Sequence, residues 1–422
     1  MRGVQSVGCN MKTLCVHPSG RYLTLSDGTP FFLLGDTAWN MLHKLTREET
    51  LQYLDTRLAQ GFNFVQTVAL AECDGLRTPN VYGDFALGMD EAGIYSPALP
   101  QKAYFDHIEW VITAAEERGM YIGLLPTWGD KFNLWWGEGP EIFTPDNAEA
   151  YGRFLGERFA HHNNLVWVMG GDRPPENPLH YAIVERMAQG ITSGDGGKFL
   201  KTYHPQGQHT SGEYWHACDW LDFNMMQSGH DRPAPPCYEL MAKEYARTPA
   251  KPVMDGEPCY EDIPVNVKPG EGYWYGDTSR RAAWWDLMSG ACGHTYGHHA
   301  VWQMNTAYSP YCPFTWQQAL TRPAAAQLCH LKEFAETYPP FGGTPLYNAV
   351  ENNRAGDKYV AALGFEGRAY LYLPKGMTVT LTLPFTPAKA VGFDPKTGQA
   401  AAVTLAGSTL TVPTETAVVL NA

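Results

Sequence analysis

Two acidic residues follow glycine at the ends of apolar runs, Asp172 in LVWVMGGD and Glu257 in PVMDGEP. Glycine lets the backbone turn sharply after such a run, so each carboxyl group can project from the end of a strand. Two carboxyl groups around one ligand can supply a general acid and a nucleophile or base, which is what hydrolysis of a glycosidic bond requires. Taken singly, an Asp after Gly-Gly can be a turn former, and a Glu before proline can be solvated. The interpretation therefore depends on the elements that position the pair.

Eight short apolar runs follow one another from residue 31 onward. Most are continuously apolar rather than alternating, which is typical of parallel strands that are covered on both faces. The runs occupy 31–36, 63–70, 121–128, 165–172, 199–205, 221–229, 252–258 and, less regularly, 292–303. They predict eight strands.

Helix signals separate these runs. Thr46 to Glu49 form a capping box, and Thr144-Pro145 and Asn177-Pro178 each place a capping side chain before a proline at the first helical position. Further helical patterns occupy 103–118, 236–247, 279–289 and 321–337. The alternation of eight strands with helices predicts an α/β fold, a (β/α)8 TIM barrel. The main alternative is a doubly wound open sheet, which normally carries a Gly-rich phosphate turn after its first strand, where this chain has GDTAW.

The segments before and after the predicted barrel have β patterns. RYLTLSDGTPFFLL is typical of a hairpin with Asp27-Gly28 in its turn. From residue 339 the run PPFGG ends the last helix, and short alternating segments with Gly, Pro and Asp turns follow. They predict a small antiparallel β-sandwich. The expected domains are an N-terminal arm and hairpin (1–29), a barrel (30–338) and a sandwich (339–422).

Polar and aromatic side chains stand at the predicted strand ends. In a TIM barrel the reacting groups come from the C-terminal ends of the strands, so Asp172 on strand four and Glu257 on strand seven can face one ligand. We predict that further strand-end residues bind sugar hydroxyl groups or stack on a sugar ring. The predicted hydroxyl-binding residues are Asp36, His204, Gln227 and His298, and the stacking residues are Trp128 and Trp302. For each of these six, a purely structural role is an equally good interpretation.

The histidines do not form a recognisable metal motif. His294 and His298 have i, i+4 spacing and His299 follows, but a zinc site of the H-E-x-x-H type needs a helical frame and a third ligand, and neither is apparent. The nine cysteines are scattered without a C-x-x-C pair, which argues against a structural zinc site or a disulfide framework. We therefore expect no metal and no cofactor.

Composition limits the partners of the protein. The 422 residues include 31 basic and 44 acidic side chains, a net charge of −13. This balance argues against nucleic acid, whose phosphates require clustered Lys and Arg. Without a run of about 18 apolar residues we expect no membrane span, and without an apolar block of signal-peptide length we expect a cytoplasmic protein. The expected partner is an oligosaccharide or small glycoside, and the oligomeric state is left open.

Three segments resemble a known family. GRYLTLSDGTPFFLLGDTAWNML, NNLVWVMGGDRP and KPVMDGEPCYE, with the β-rich tail, are similar to glycoside hydrolase family 140, the apiosidase-type enzymes, over roughly residues 20 to 420. The resemblance implies a TIM barrel with a C-terminal sandwich of the type named after collagen binding. It also implies Asp172 as general acid/base, Glu257 as nucleophile, and apiose in pectic side chains as substrate. In most of the wider barrel clan a Glu after Asn takes the place of Asp172, so the reach of the acid differs here.

A retaining mechanism is the reaction that we expect. Glu257 would attack the anomeric carbon while Asp172 protonates the leaving oxygen, and Asp172 would then activate water. This predicts carboxyl groups about 5–5.5 Å apart, whereas about 6.5–9.5 Å would indicate inversion. Two alternatives stay open, a non-catalytic carbohydrate-binding protein and a metal-dependent barrel hydrolase.

Overall fold

The eight apolar runs form eight strands in a computed structural model that describes residues 11–230 and 236–422. The strands are β1 Leu33–Thr37, β2 Phe64–Leu70, β3 Tyr121–Thr127, β4 Leu165–Gly170, β5 Lys201–His204, β6 Asn224–Gln227, β7 Val253–Asp255 and β8 Gly293–Tyr296. Their ladder order is β5-β4-β3-β2-β1-β8-β7-β6, and these pairs are all parallel. A ninth strand, His209–Thr210, pairs antiparallel with β6.

Pairing between the first and last strands makes the sheet a barrel. Leu34 of β1 lies opposite His294 of β8, which a doubly wound open sheet would not show. The remaining junction, between β5 and β6, is closed by two individual hydrogen bonds. The Asp222 backbone N–H donates to the Lys201 carbonyl at 2.9 Å, and the Thr202 hydroxyl donates to the Phe223 carbonyl at 2.8 Å. The TIM-barrel prediction is therefore confirmed, and the doubly wound alternative is wrong.

Helices follow the strands, and three of them begin where the capping signals placed them. The main ones are α1 Arg47–Ala59, α2 Lys102–Glu116, α3 Pro145–Phe159, α4 Pro178–Asp195, α5 Gly212–Trp215, α6 Cys237–Tyr245, α7 Gly276–Met288 and α8 Cys329–Thr337. Further helices, of four or five residues, are Met41–Lys44, His299–Trp302, Trp316–Ala319 and Pro323–Gln327. Thr46 and Thr144 form capping boxes, and Asn177 caps α4. Within the described ranges, none of the helices has the length and apolar character needed to cross a bilayer.

Side chains along each barrel strand alternate between the interior and the helix layer. In β1, Leu33 belongs to an interior cluster that also contains Phe64 and Met254, whereas Leu34 packs in the cluster between sheet and helices. Both layers are apolar and buried, so the strands read as continuous apolar runs. The same alternation sends polar residues at odd and even positions to opposite sides of the barrel wall.

The N-terminal segment forms a three-stranded antiparallel sheet. Its strands are Leu14–Val16, Leu23–Leu25 and Pro30–Phe31. The last two are joined by the turn at Asp27-Gly28, where Gly28 has φ 87° and the Asp27 carboxylate accepts the Thr29 N–H at 3.1 Å. Side chains of this sheet, including Leu14 and Leu23, pack against the interior cluster and thereby cover the floor of the barrel. The first ten residues of the expected N-terminal arm lie outside the described residues.

The tail forms two antiparallel sheets that face each other. The larger has the order Thr344–Pro345, Ala361–Phe365, Arg368–Leu373, Thr416–Asn421, Lys389–Phe393 and Ala400–Ala401. The smaller has the order Met377–Thr380, Thr409–Val412 and Thr404–Ala406. Leu371 and Val418 of the larger sheet pack with Leu410 of the smaller one, so the predicted sandwich is present.

The outer face of the larger tail sheet packs on the barrel helices. Tyr370, Tyr372 and Val419 belong to the same apolar cluster as Trp284 of α7. Tyr372 and Trp284 stack with ring centroids 5.9 Å apart. At the edge of this contact the Arg280 guanidinium pairs with the Glu415 carboxylate at 2.6 Å. Barrel and tail therefore share one apolar core.

Candidate active site

A cavity of about 340 Å³ opens at the C-terminal ends of the barrel strands, and both acidic residues singled out in the sequence line it. The lining residues are Trp39, Glu72, Trp128, Trp136, Asp172, Gln227, His230, Glu257, Tyr260, Ile263, Val267, His299, Trp302 and Tyr311. A larger depression of about 620 Å³ beside Phe85 and Met89 contains neither of the two carboxyl groups. The smaller cavity is therefore the candidate active site.

The backbone after β4 delivers Asp172 into this cavity. Gly170, Gly171 and Asp172 have φ values of 91°, 104° and 62°, so three successive residues are in the region that favours glycine. A Cβ on Gly170 would lie 2.6 Å from the His204 carbonyl oxygen, and one on Gly171 would lie 2.7 Å from the Gly129 nitrogen. The Gly-Gly pair is thus required by close packing as well as by the turn, and the left-handed Asp172 is a strained residue at a cavity.

The surroundings of Asp172 favour its protonated form. Burial raises the pKa of this carboxyl well above its usual value, and the negative charges of Glu257 and Glu72 act in the same direction. The Arg173 guanidinium, whose Nη1 lies 3.5 Å from Asp172 Oδ2, and the amide of Gln227 oppose the rise in pKa. The net result is a carboxylic acid that can donate a proton.

Glu257 has the opposite environment, because two histidines contact its carboxylate. His230 Nε2 lies 3.0 Å from Oε1, and His204 Nε2 lies 3.0 Å from Oε2. The Tyr260 backbone N–H donates to His230 Nδ1 at 3.3 Å. Because Nδ1 accepts that bond, the ring proton of a neutral His230 is on Nε2, where it donates to Glu257.

These contacts keep Glu257 ionised. Burial alone would raise its pKa, but the hydrogen bond from His230, the close contact with His204 and the charges of both rings prevail and lower the pKa to about 2. The cavity thus holds one carboxyl group biased toward the acid form and one biased toward the carboxylate form. Such a divergence within one site is how a protein assigns acid and nucleophile roles to two carboxyl groups.

The opposite shifts predict how activity depends on pH. Because Glu257 has a pKa of about 2, it is ionised throughout the weakly acidic and neutral range. The raised pKa of Asp172 means that its proton is retained into this range and lost as the pH increases further. We expect kcat/KM for an uncharged aryl glycoside to be flat on the acidic side and to fall on the alkaline side. An activity that increased steadily from weakly acidic to alkaline pH would contradict this assignment.

Of the six residues predicted to bind sugar, the structure places three on the cavity wall: Trp128, Gln227 and Trp302. The Trp128 and Trp39 rings lie 5.2 Å apart by their centroids and form an aromatic corner. Trp128 Nε1 and Gln227 Oε1 are buried and have no hydrogen-bond partner among the described residues. A donor and an acceptor are therefore free to meet a polar ligand.

Asp36 is not on the cavity wall, and its prediction as a sugar-binding residue is wrong. It has the same parity in β1 as Leu34, so its side chain faces the helix layer, where it is fully buried. Its Oδ2 accepts hydrogen bonds from the Arg57 guanidinium at 2.6 Å and from the Tyr53 hydroxyl at 2.7 Å. Asp36 therefore joins β1 to α1.

Breaking this pair is expected to reduce stability rather than substrate binding. Asp36→Asn or Arg57→Met should each lower the free energy of unfolding by about 3–5 kcal/mol, because each leaves a buried group without its partner. Urea unfolding measures the loss, and the double variant should lose less than the sum of the two. A variant of Asp36 with normal stability and a raised KM would restore the original interpretation.

His204 and His298 also depart from the prediction. His204 is fully buried beneath Glu257 and packs edge-on against Trp39, with ring centroids 5.1 Å apart, so it contacts the carboxylate instead of the cavity. His298 is buried at the start of the short helix His299–Trp302, where its Nδ1 accepts the Ala300 N–H and its Nε2 lies 3.1 Å from Asp262. The prediction that these two histidines bind sugar hydroxyl groups is therefore wrong.

The neighbouring His299 takes the place that was expected for His298. It lines the cavity, and the Trp302 indole N–H donates to its Nδ1 at 3.3 Å, which leaves the proton on Nε2. Burial and the charges of nearby His298 and His230 lower its pKa to about 3, so it is neutral. His299 Nε2 is buried and makes no well-aligned hydrogen bond among the described residues, although the Tyr311 backbone lies near the ring and opposes the fall in its pKa. Because His298 and His299 are adjacent, the sequence contained no signal that indicated which of the two lines the cavity.

Six other wall residues were not among the residues predicted to bind sugar. Trp39, Glu72 and His230 follow strand ends, a position that could have indicated them, and Tyr260 lies in the segment KPVMDGEPCYE. Trp136 and Tyr311 lie in long loops without a motif. The Arg173 guanidinium stacks 3.5 Å from the Trp136 ring and also donates to the Trp136 carbonyl. This stacking ties the loop after β3 to the residue that follows Asp172.

Comparisons with known proteins identify the family and the fold. A family model described as "Apiosidase-like, catalytic domain" matches residues 17–341. A glycoside hydrolase family 5 structure from Bacteroides vulgatus is 28% identical, with a TM-score of 0.84 over 97% of this chain and 94% of that one. Another glycoside hydrolase structure is 27% identical, with a TM-score of 0.84 over 97% of each chain. A family 39 glycoside hydrolase from Bacteroides cellulosilyticus shares the fold at 13% identity and a TM-score of 0.53, over 92% of this chain and 80% of that one. Curated proteins give no significant match.

Proposed function

Since this chain belongs to the apiosidase-like family of glycoside hydrolases, we propose that it removes an apiose-type sugar from plant cell-wall oligosaccharides or related glycosides with retention of configuration. The observation that carries the proposal is the pair of carboxyl groups in one cavity, Asp172 with a raised pKa and Glu257 with a lowered one. Two such groups on either side of a glycosidic bond are the minimum machinery for its hydrolysis.

The first step forms a bond between Glu257 and the sugar. A carboxylate oxygen of Glu257 attacks the anomeric carbon, the bond from that carbon to the glycosidic oxygen breaks, and the Asp172 proton moves to the leaving oxygen. His230, which donates to Glu257 Oε1, orients the attacking carboxylate. The alcohol leaves, and Asp172 is now ionised.

The second step releases the sugar. Asp172 takes a proton from water as the water oxygen attacks the anomeric carbon, and the bond to Glu257 breaks. Glu257 returns to its carboxylate form and Asp172 to its acid form, so the cycle closes. Two inversions at one carbon leave the configuration unchanged.

The charges at the cavity favour a neutral sugar. Among its described wall residues there is no Lys or Arg, whereas three are acidic. The nearest cations are already engaged: Lys131 Nζ donates to Asp130 at 2.7 Å and to the Ala71 carbonyl at 2.8 Å, and Arg173 contacts Asp172 and Trp136. A uronic acid would find no opposite charge here. Together with the net charge of −13, this favours short neutral substrates over an acidic pectin chain.

A panel of aryl glycosides that includes an apioside and a uronide tests the proposal. We expect the apioside to be cleaved best and the uronide to be inert. NMR should show that the sugar first released has the same anomeric configuration as the substrate. Inverted product would assign the water-activating role to Glu257 instead. Binding without cleavage of any glycoside would favour a carbohydrate-binding protein, and loss of activity on chelation would favour a metal-dependent hydrolase.

A further inference from the structure

A third carboxyl group, that of Glu72, lies in the cavity and has no role in the two steps above. It comes two residues after β2 and is only 7% exposed. No hydrogen bond or ion pair joins its carboxyl group to another residue in the described part of the chain. A largely buried carboxyl group whose oxygens reach a cavity without a protein partner is a group that a ligand can satisfy.

We propose that Glu72 is a substrate-binding residue that hydrogen bonds the hydroxyl groups of the sugar held between Asp172 and Glu257. This inference rests on the proposed function and deepens it, because it identifies a residue that selects the sugar. Glu72 and Glu257 line the same cavity, so a ligand attacked by Glu257 is also within the surroundings of Glu72.

The backbone around Glu72 is held in a special conformation. Lys131 Nζ donates to the carbonyl of Ala71, the residue before Glu72, at 2.8 Å. Cys73 and Asp74, the two residues after it, have φ values of 55° and 69°. Consecutive left-handed residues other than glycine are costly and persist where the surroundings impose them, as at ligand sites. Asp172, which follows β4, shows the same kind of strain.

The protonation state of Glu72 suits a hydroxyl ligand. Burial, together with the negative charges of Glu257 and Asp130, raises its pKa to about 8, despite the opposing charges of Lys131 and Arg173. At neutral pH the group is therefore mainly a carboxylic acid, with one O–H donor and one carbonyl acceptor. A sugar hydroxyl both donates and accepts, so the two are complementary.

Glu261 provides a matched contrast. It is also a buried glutamate near the same end of the barrel, but the Tyr296 hydroxyl donates to its Oε2 at 2.6 Å and the Ala324 N–H to its Oε1 at 3.4 Å. Its carboxylate is satisfied by the protein and has a structural role. The comparison of Glu72 with Glu261 therefore separates binding from folding.

Kinetics of Glu72→Gln and Glu72→Ala test the role of the side chain. The probes are the aryl glycoside cleaved best in the panel and its monodeoxy analogues. Glutamine keeps a donor and an acceptor, so kcat/KM should stay within about fivefold of wild type, whereas alanine should lower it about 10- to 100-fold. In the alanine variant the penalty for one deoxy analogue should largely disappear, because its hydroxyl has already lost its partner. Equal penalties for every analogue in both proteins would overturn the proposal.

Thermal unfolding gives a readout that needs no substrate. A pKa of about 8 in the folded protein exceeds the ordinary value near 4.3, so stability falls as the pH rises between them. Glu72→Gln lacks this loss and should unfold at a higher temperature than wild type, with a difference that widens by about 2–4 °C from pH 5 to pH 8. Glu261→Gln should unfold at a lower temperature at both pH values.

The kinetic and thermal measurements distinguish a failure of the Glu72 proposal from a failure of the proposed function. If Glu72→Gln is destabilised like Glu261→Gln, Glu72 is a structural residue and the binding proposal is wrong, whatever the enzyme cleaves. If no glycoside of the panel is cleaved while the stability of Glu72→Gln behaves as expected, the proposed function fails, and the assignment of Glu72 to a sugar fails with it.

Discussion

Glu257→Gln is expected to lower kcat by at least about ten-thousandfold for every glycoside that the wild-type protein cleaves. Glutamine has the shape of glutamate but lacks the negative charge, so it cannot form the covalent bond to the anomeric carbon. It can still accept from His230, which lies 3.0 Å from Glu257 Oε1. The variant should therefore fold and bind substrate, and the loss should appear in kcat rather than in KM.

Steady-state kinetics and a binding titration of the same variant measure this effect. Glu336→Gln, on the exposed surface of α8 and 66% exposed, is the matched control and should keep wild-type activity. If Glu257→Gln retained more than about a hundredth of the wild-type kcat, another group would have to be the nucleophile. The residue to examine next would then be Asp172.

Replacement of Asp172 by alanine should have an effect that depends on the leaving group. For a sugar leaving group, which needs a proton to depart, we expect kcat to fall about 100- to 10,000-fold. For a dinitrophenyl group, which leaves without a proton, the first step should be nearly unchanged. The second step then limits turnover, because no base activates water, and the glycosyl-enzyme should accumulate.

Pre-steady-state kinetics with a dinitrophenyl glycoside show this as a burst of released phenol followed by slow turnover. The alkaline fall in kcat/KM that the raised pKa of Asp172 predicts should also change in this variant. An equal loss for good and poor leaving groups, without a burst, would mean that Asp172 does not act on the leaving oxygen.

The order of strands and the helix starts could be predicted because their signals are local. Thr46, Thr144 and Asn177 mark the first turns of three helices through contacts within a few residues. The two carboxyl groups could be predicted because each follows a strand and a glycine. Their convergence is a consequence of barrel closure, which the eightfold alternation already implied.

The direction of individual side chains could not be predicted from the apolar runs. Asp36 ends β1, but the strand is apolar on both faces, so the sequence contains no alternation from which to assign parity. The partner that holds Asp36, Arg57, is 21 residues away on α1. A charged residue on the buried side of that helix was the only available hint.

The tail shows the same limit in a sheet. The strand Thr416–Asn421 lies at the centre of the larger sheet and pairs with two neighbours. Alternation in the tail predicts strands, but TAVVLN does not alternate. Val418 faces the smaller sheet and Val419 faces the barrel, so both sides are apolar. Alternation of apolar and polar residues identifies strands with one solvent-exposed face, and this strand has no such face.

The common core of barrel and tail determines how the protein responds to cutting and heating. Trp284 packs on Tyr372, and Arg280 pairs with Glu415. Removing about the last eighty residues would therefore expose a large apolar surface and leave the Arg280 guanidinium without its partner. The C-terminal sandwich is thus an integral part of the fold and not an independently folding domain. Calorimetry should record one melting event for the whole chain, and trimming it for expression should yield an insoluble product.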